Sequence, residues 1–183
     1  MKLKTLPLPV ICGLTLLIGI FTAANAAPNN MRLYGTLVDE PCVIKPGDET
    51  ISLEFGNVPD KTFYIGAGRT NSQNFQIHLS ECDLSINKRV RVTFSGTENQ
   101  AMVGQGFLAL STGSQAEGIA IGLENSDGSP LRINQETSNI ALNSGDSILR
   151  FRAFIQAEPN AIANESIKRG RFSAIATFHL NYD

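Results

Sequence analysis

Residues that carry chemistry are scarce in this chain. Of its 183 residues two are histidine, His78 and His179, and three are cysteine. A zinc site needs three or four ligands at compact spacing, and the sequence offers no such grouping. The cysteines form no C-x-x-C pair, so the spacing gives no support to a thiol redox centre. No G-x-S-x-G elbow is present. A triad can assemble from distant positions, but each histidine falls on the polar face of an expected strand, where an imidazole is ordinarily a solvated surface group. Gly104-Gln-Gly106-Phe-Leu-Ala109 imitates a dinucleotide fingerprint, yet a strand follows it where the fingerprint needs a helix. Asp127-Gly128 lacks the further acids of a calcium loop and reads as a turn. The expectation is a protein with no catalytic residue, no metal and no small-molecule cofactor.

Positive charge is also in short supply. Fifteen basic residues stand against seventeen acidic ones. This is not the basic surplus that nucleic acid demands, and it argues equally against an anionic membrane surface. Long helical faces are missing as well, since no segment sustains an apolar helical stripe beyond two turns.

The one long apolar run lies at the start. Lys2 and Lys4 precede an apolar stretch from Pro9 to Ile20, and Ala24-Asn25-Ala26 is a small-x-small cleavage site, so residues 1–26 read as a signal peptide. Ile11 is too large for the position before a lipoprotein cysteine, which discounts Cys12 as a lipid anchor. Cleavage leaves 157 residues, enough for one domain with a sizeable core, and loses two lysines, for a net charge of −4. Two cysteines remain, Cys42 and Cys82. An even count in an exported chain reads as a disulfide, here closing a loop of about forty residues worth roughly 4 kcal/mol.

Period-two patterns dominate what is left. Residues 31–38 alternate around Met31, Leu33, Gly35 and Leu37. Ile51-Ser-Leu-Glu-Phe55 alternates, as do Phe75, Ile77 and Leu79, then Val90, Val92 and Phe94, then Leu149, Phe151, Ala153 and Ile155. Residues 106–110 and 118–123 are apolar runs. Turn-forming stretches such as Pro46-Gly-Asp48 and Asn143-Ser-Gly-Asp146 separate them. Several strands joined by polar turns make an all-β sandwich or barrel.

The chain's last segment completes the pattern. From Gly170 it places Phe172, Ala174, Ala176, Phe178, Leu180 and Tyr182 on one face, and mostly polar residues on the other, with Ile175 the exception. This is a strand with a buried face running to Asp183. Termini fray unless tied down, so a strand this apolar needs a partner, from this chain or from another.

Four features together resemble the pilin subunits of chaperone–usher fimbriae of Gram-negative bacteria. They are the alternating arm Leu33-Tyr-Gly-Thr-Leu-Val-Asp-Glu-Pro-Cys42, Cys82 closing Phe75-Gln-Ile-His-Leu-Ser-Glu-Cys82, Gly118-Ile-Ala-Ile-Gly-Leu followed by Asp127-Gly128, and the terminal strand with Gly170 and a penultimate Tyr182. The resemblance implies an incomplete immunoglobulin-like sandwich that lacks its seventh strand and is completed by a donor strand from another chain. It implies three regions: signal peptide 1–26, donor-strand extension 27–39 and pilin domain 40–183.

The same resemblance implies partners and roles. A periplasmic pilus chaperone fills the groove first, and a neighbouring pilin subunit's arm replaces it at an outer-membrane usher, by strand addition between chains. Met31, Leu33, Gly35 and Leu37 are the implied donor positions, with Leu33 starting the exchange and Gly35 setting the register. Gly170, Phe172, Ala174, Ala176, Phe178, Leu180, Tyr182 and the Asp183 carboxylate are the implied contacts of chaperone and donor. The protein passes through the periplasm to the cell surface. An arm and a single domain look most like a minor or adaptor tip subunit of the P-pilus type. The reading from another class is a self-contained secreted β-sandwich that binds a ligand such as a glycan. Stability of the isolated domain separates the two.

Overall fold

In the computed structural model the described residues are 31–37 and 39–182. The proposed signal peptide and Asp183 therefore lie outside the described residues. The chain divides into two units at Leu37/Val38. In the first, residues 31–37 carry no strand, and Met31, Leu33, Tyr34 and Leu37 are exposed.

The second unit is a two-sheet sandwich. Its elements are β1 (Val43–Ile44), a 3-10 turn (Asp60–Tyr64), β2 (Gln73–Cys82), β3 (Arg89–Ser95), β4 (Ile119–Asn125), β5 (Pro130–Leu131), β6 (Ile140–Ala141), β7 (Gly145–Ala157), the short helix α1 (Pro159–Ala163) and β8 (Thr177–Tyr182). One sheet runs β1-β2-β7-β4-β5 and the other β6-β3-β8. All pairings between these strands are antiparallel.

The alternation seen in the sequence decides what each strand buries. Ile77 and Leu79 of β2, Val90, Val92 and Phe94 of β3, and Leu149, Phe151 and Ile155 of β7 all point into the core. Phe94 and Phe75 pack on Phe151 at ring-centroid distances of 5.0 and 5.7 Å. Strand β4 is buried on both faces, which explains its unbroken apolar run. On its outer face the Phe154 ring lies over Gly122, where a Cβ would come within 2.2 Å of the ring. Arg69 stacks its guanidinium 3.3 Å from the centroid of the same ring, and Phe107 meets it edge-on. Cys42 and Cys82 form a disulfide in the core, joining the start of the domain to the end of β2.

Four expected strands differ from the structure. Residues 51–55 join no ladder. Residues 31–37 do the same. The expected strand from Gly170 pairs only as β8, from Thr177 onward. Residues 106–110 reduce to isolated bridges at Leu108, to Glu98 and Ile121. A strand is defined by its partner's hydrogen bonds, and periodicity reports only which side chains face the core. Residues 31–37 and 51–55 have the right pattern and, among the described residues, no ladder partner, while residues 171–173 bond on one side only, to the 111–116 loop.

Candidate functional site

The unpaired segments frame one feature. Residues 49–57 form one wall of a long groove and residues 170–178 the other. Phe75, Phe94, Leu108, Ile121, Leu123 and Ala153 lie between them as an apolar floor, and the groove encloses about 1400 Å3. A smaller cavity of about 200 Å3 adjoins it, lined by Val58, Phe63, Ile119, Ile155 and Ile167, and it shares Gly170 and Phe172 with the groove.

Each wall presents a free backbone edge. Among the described residues, 50–58 make no backbone hydrogen bond. On the opposite wall one side is occupied. Ser111 N–H donates to the Ser173 carbonyl at 2.7 Å, and Gln115 N–H donates to the Arg171 carbonyl at 2.7 Å. Backbone groups of successive residues in an extended chain point to opposite sides. The even residues Phe172, Ala174 and Ala176 therefore aim their N–H and C=O groups away from this loop, and none of these groups is bonded. The wall begins at Gly170, where a Cβ would stand 2.5 Å from Gln115 Cβ and 3.0 Å from its carbonyl carbon. Only glycine lets the chain approach the 115–116 backbone so closely there.

The terminal residues named from the sequence meet at this wall. Phe172, Ala174, Phe178, Leu180 and Tyr182 are partly buried and pack on the core. Ala176 shares their face but is exposed, and Ile175 points outward at 75% exposure. Val92 pairs with Leu180 and Val90 with Tyr182, so β8 beyond Thr177 has β3 as a neighbour. Burial raises the Tyr182 phenol to about 12, assisted by the charge of Glu40, and the phenol stays protonated through the physiological range.

The facing wall went unrecognised as a site. Ile51, Leu53 and Phe55 are partly buried against the core, and the Phe55 ring lies 6.5 Å from that of Phe172. Their alternation was visible, but nothing in a linear sequence says which segment they face. Two carboxylates at the ends of this wall were missed as well. Asp60 accepts from Arg169 Nε at 2.9 Å and from Nη2 at 2.6 Å. The Arg169 hydrogen bonds hold Asp60 below the usual carboxylate range. Asp48 accepts from the His78 backbone N–H at 2.7 Å and lies 2.6 Å from His78 Nδ1. The backbone bond, then the ring, lowers its pKa. His78, expected to be merely solvated, thus has a partner.

Arranged this way, the site has two rows of unused hydrogen-bonding groups over an apolar floor, and the object that satisfies both is an extended peptide with apolar side chains on one face.

Comparison with known proteins points to one family. Residues 31–183 match the family model described as fimbrial protein. The chain is 30% identical to the major MR/P fimbria protein of Proteus mirabilis, over 100% of this chain and 99% of that one. It is also 30% identical to the fimbrial adapter PapK of Escherichia coli, over 93% of this chain and 97% of the other. Among solved structures, the P pilus rod subunit PapA superimposes with a TM-score of 0.67 at 22% identity, covering 79% of this chain and 100% of that one. A chaperone–usher pilus structure gives a TM-score of 0.66 at 22% identity, covering 84% and 94%.

Proposed function

Since the chain belongs to the fimbrial protein family and is a fimbrial subunit, we propose that it joins its neighbours by strand exchange. Its groove takes an extended segment from another chain, and its own residues 31–37 are the segment it gives. The observation that carries this reading is the pair of unbonded edges, 50–58 and 172–176, facing each other across an apolar floor. A self-contained glycan-binding sandwich has no use for such a gap, which would leave a template for aggregation.

The arm suits the gap. Seven extended residues span about 20 Å and the wall of nine residues about 27 Å. Met31, Leu33 and Leu37 are exposed in the arm, and each contributes about 1.5–3 kcal/mol when buried. Each backbone hydrogen bond to the free edges adds about 1 kcal/mol. Gly35 falls among them as the one position without a side chain. A donor antiparallel to residues 170–178 forms the stronger ladder, and it directs Leu37 to the Gly170 end and Met31 toward Phe178. The open cavity at the Gly170 end then receives Leu37, which moves the start of exchange to Leu37 from the Leu33 position assigned by resemblance.

An arm to give and a groove to fill support a position inside a fibre, where rod subunits and adaptors both stand. This chain's own side chains leave a cavity of about 200 Å3 beside Gly170, which supports a subunit that continues the fibre over one that ends it. Before assembly a periplasmic chaperone covers the groove, with the Asp183 carboxylate among its contacts, and the exchange occurs at an outer-membrane usher. The chain enters the periplasm by way of residues 1–26. Its work is mechanical rather than catalytic, and it supports adhesion by holding the fibre together.

Leu33→Arg and Leu37→Arg test the donor assignment. Each is expected to leave chaperone capture intact and to abolish insertion into the next subunit, with the Leu37 change stopping the earliest step. Heat-resistant polymer ladders extracted from cells report this directly. Ladders of undiminished length from either variant would contradict the assignment.

A further inference from the structure

Among the described residues the wall formed by 50–58 makes no backbone hydrogen bond that would hold it in place. Its side chains Ile51, Leu53 and Phe55 rest on the core, but such contacts are non-directional. What fixes it is found at its ends. Asp48 ties one end to His78 on β2. Asp60 ties the other to Arg169, immediately before the opposite wall. Among the described residues the Asp60–Arg169 pair is the only hydrogen-bonded link from wall to wall.

The two sides of this link differ in firmness. The Arg169 side is anchored, because Lys168 and Glu117 exchange backbone hydrogen bonds at 3.0 and 3.1 Å and their side chains form an ion pair at 2.7 Å. The Asp60 side continues into the unbonded wall. A strand can bond to both walls only if they stand two strand spacings apart, about 9.5 Å. In the empty groove the apolar faces, Phe55 and Phe172 foremost, gain by closing on each other.

We propose that Asp60 and Arg169 are positioning residues that form a strut across the end of the groove, holding its free wall at the width of the missing strand. The proposal rests on reading the groove as a strand acceptor. The pair lines the cavity beside Gly170, so the strut acts where Leu37 of an incoming arm enters. Arg169 is 81% exposed, and exposed pairs add little to overall stability. Their effect is therefore expected on the rate of donor entry and not on the melting of the filled domain.

The test uses the full chain produced with a periplasmic pilus chaperone and purified as that complex. A labelled synthetic peptide of residues 29–40 is added, and its uptake is followed in wild type, Asp60→Asn, Arg169→Gln and the exchanged pair Asp60→Arg with Arg169→Asp. The single variants are expected to take up peptide about two- to fivefold more slowly, the range open to an exposed ion pair. The exchanged pair recovers most of the rate, and the filled domains melt within a few degrees of one another. Single variants at the wild-type rate, or an exchanged pair no faster than they are, would overturn the strut while leaving the groove reading intact. A wild-type complex that takes up no peptide would overturn the groove reading, and the strut with it.

Discussion

Glu124 is the most deeply placed carboxylate among the ion pairs, its side chain 7% exposed on the outer face of β4. Burial alone would raise its pKa. The hydrogen bonds from Arg69 and Ser72, with the charges of Arg69 and Arg152, outweigh that and hold it below the usual carboxylate value. Arg69 in turn is the lid over the Phe154 ring, so the charge cluster and the aromatic packing over Gly122 support each other. A carboxylate with a depressed folded pKa stabilises above its unfolded pKa, and that stability is lost as pH falls through the folded value. Glu124→Gln is expected to cost about 1–3 kcal/mol at neutral pH, because it strips a charged acceptor from the partly buried donors Arg69 and Ser72. The deficit relative to wild type shrinks as the pH drops below about 4.5, the unfolded range of a glutamate. Thermal unfolding of the donor-filled subunit from pH 3 to 7 measures it. A deficit constant across that range would mean that the fold does not lower the pKa of this carboxylate.

At the scale of elements, the ladders β2, β3, β4 and β7 were legible because each has its partners within the chain and buries a clean alternating or continuous apolar set. The segments 31–37, 51–55 and 170–176 carry patterns just as clear, yet no ladder forms on their open sides. Side-chain period encodes a face, whereas a hydrogen-bonded neighbour is a property of the assembly. The site was therefore half legible. Phe172, Ala174, Phe178 and Leu180 could be named from the terminal pattern, along with the need for a partner strand. The opposite wall at Ile51, Leu53 and Phe55 could not, because a contact across more than a hundred residues leaves no local mark. The link from Asp60 to Arg169 was invisible for the same reason, and that from Asp48 to His78, only 30 residues apart, because a turn acid and a strand histidine carry no pattern that pairs them.

At the scale of the molecule, the proposed reading is that the fold closes only when a strand is added. Phe94 of β3 and Phe178 of β8, in the three-stranded sheet, line the groove whose far wall is residues 49–57. The disulfide matters more in such a domain, since it constrains the unfolded chain before the last strand arrives. Cys42→Ser is expected to remove about 4 kcal/mol and to cut the periplasmic yield of chaperone-bound subunit sharply. Quantifying that complex by immunoblot, with and without the variant, checks it. An unchanged yield would mean that capture does not depend on the Cys42–Cys82 bond.

The central claim, that this sandwich is one strand short, is tested most directly by thermal unfolding of residues 40–183 with the disulfide formed and no chaperone present, alone and with a peptide of residues 29–40. The account predicts an unstable or aggregating domain that the peptide rescues to a high and slowly reversible melting point. A soluble monomer that melts cooperatively and ignores the peptide would contradict it.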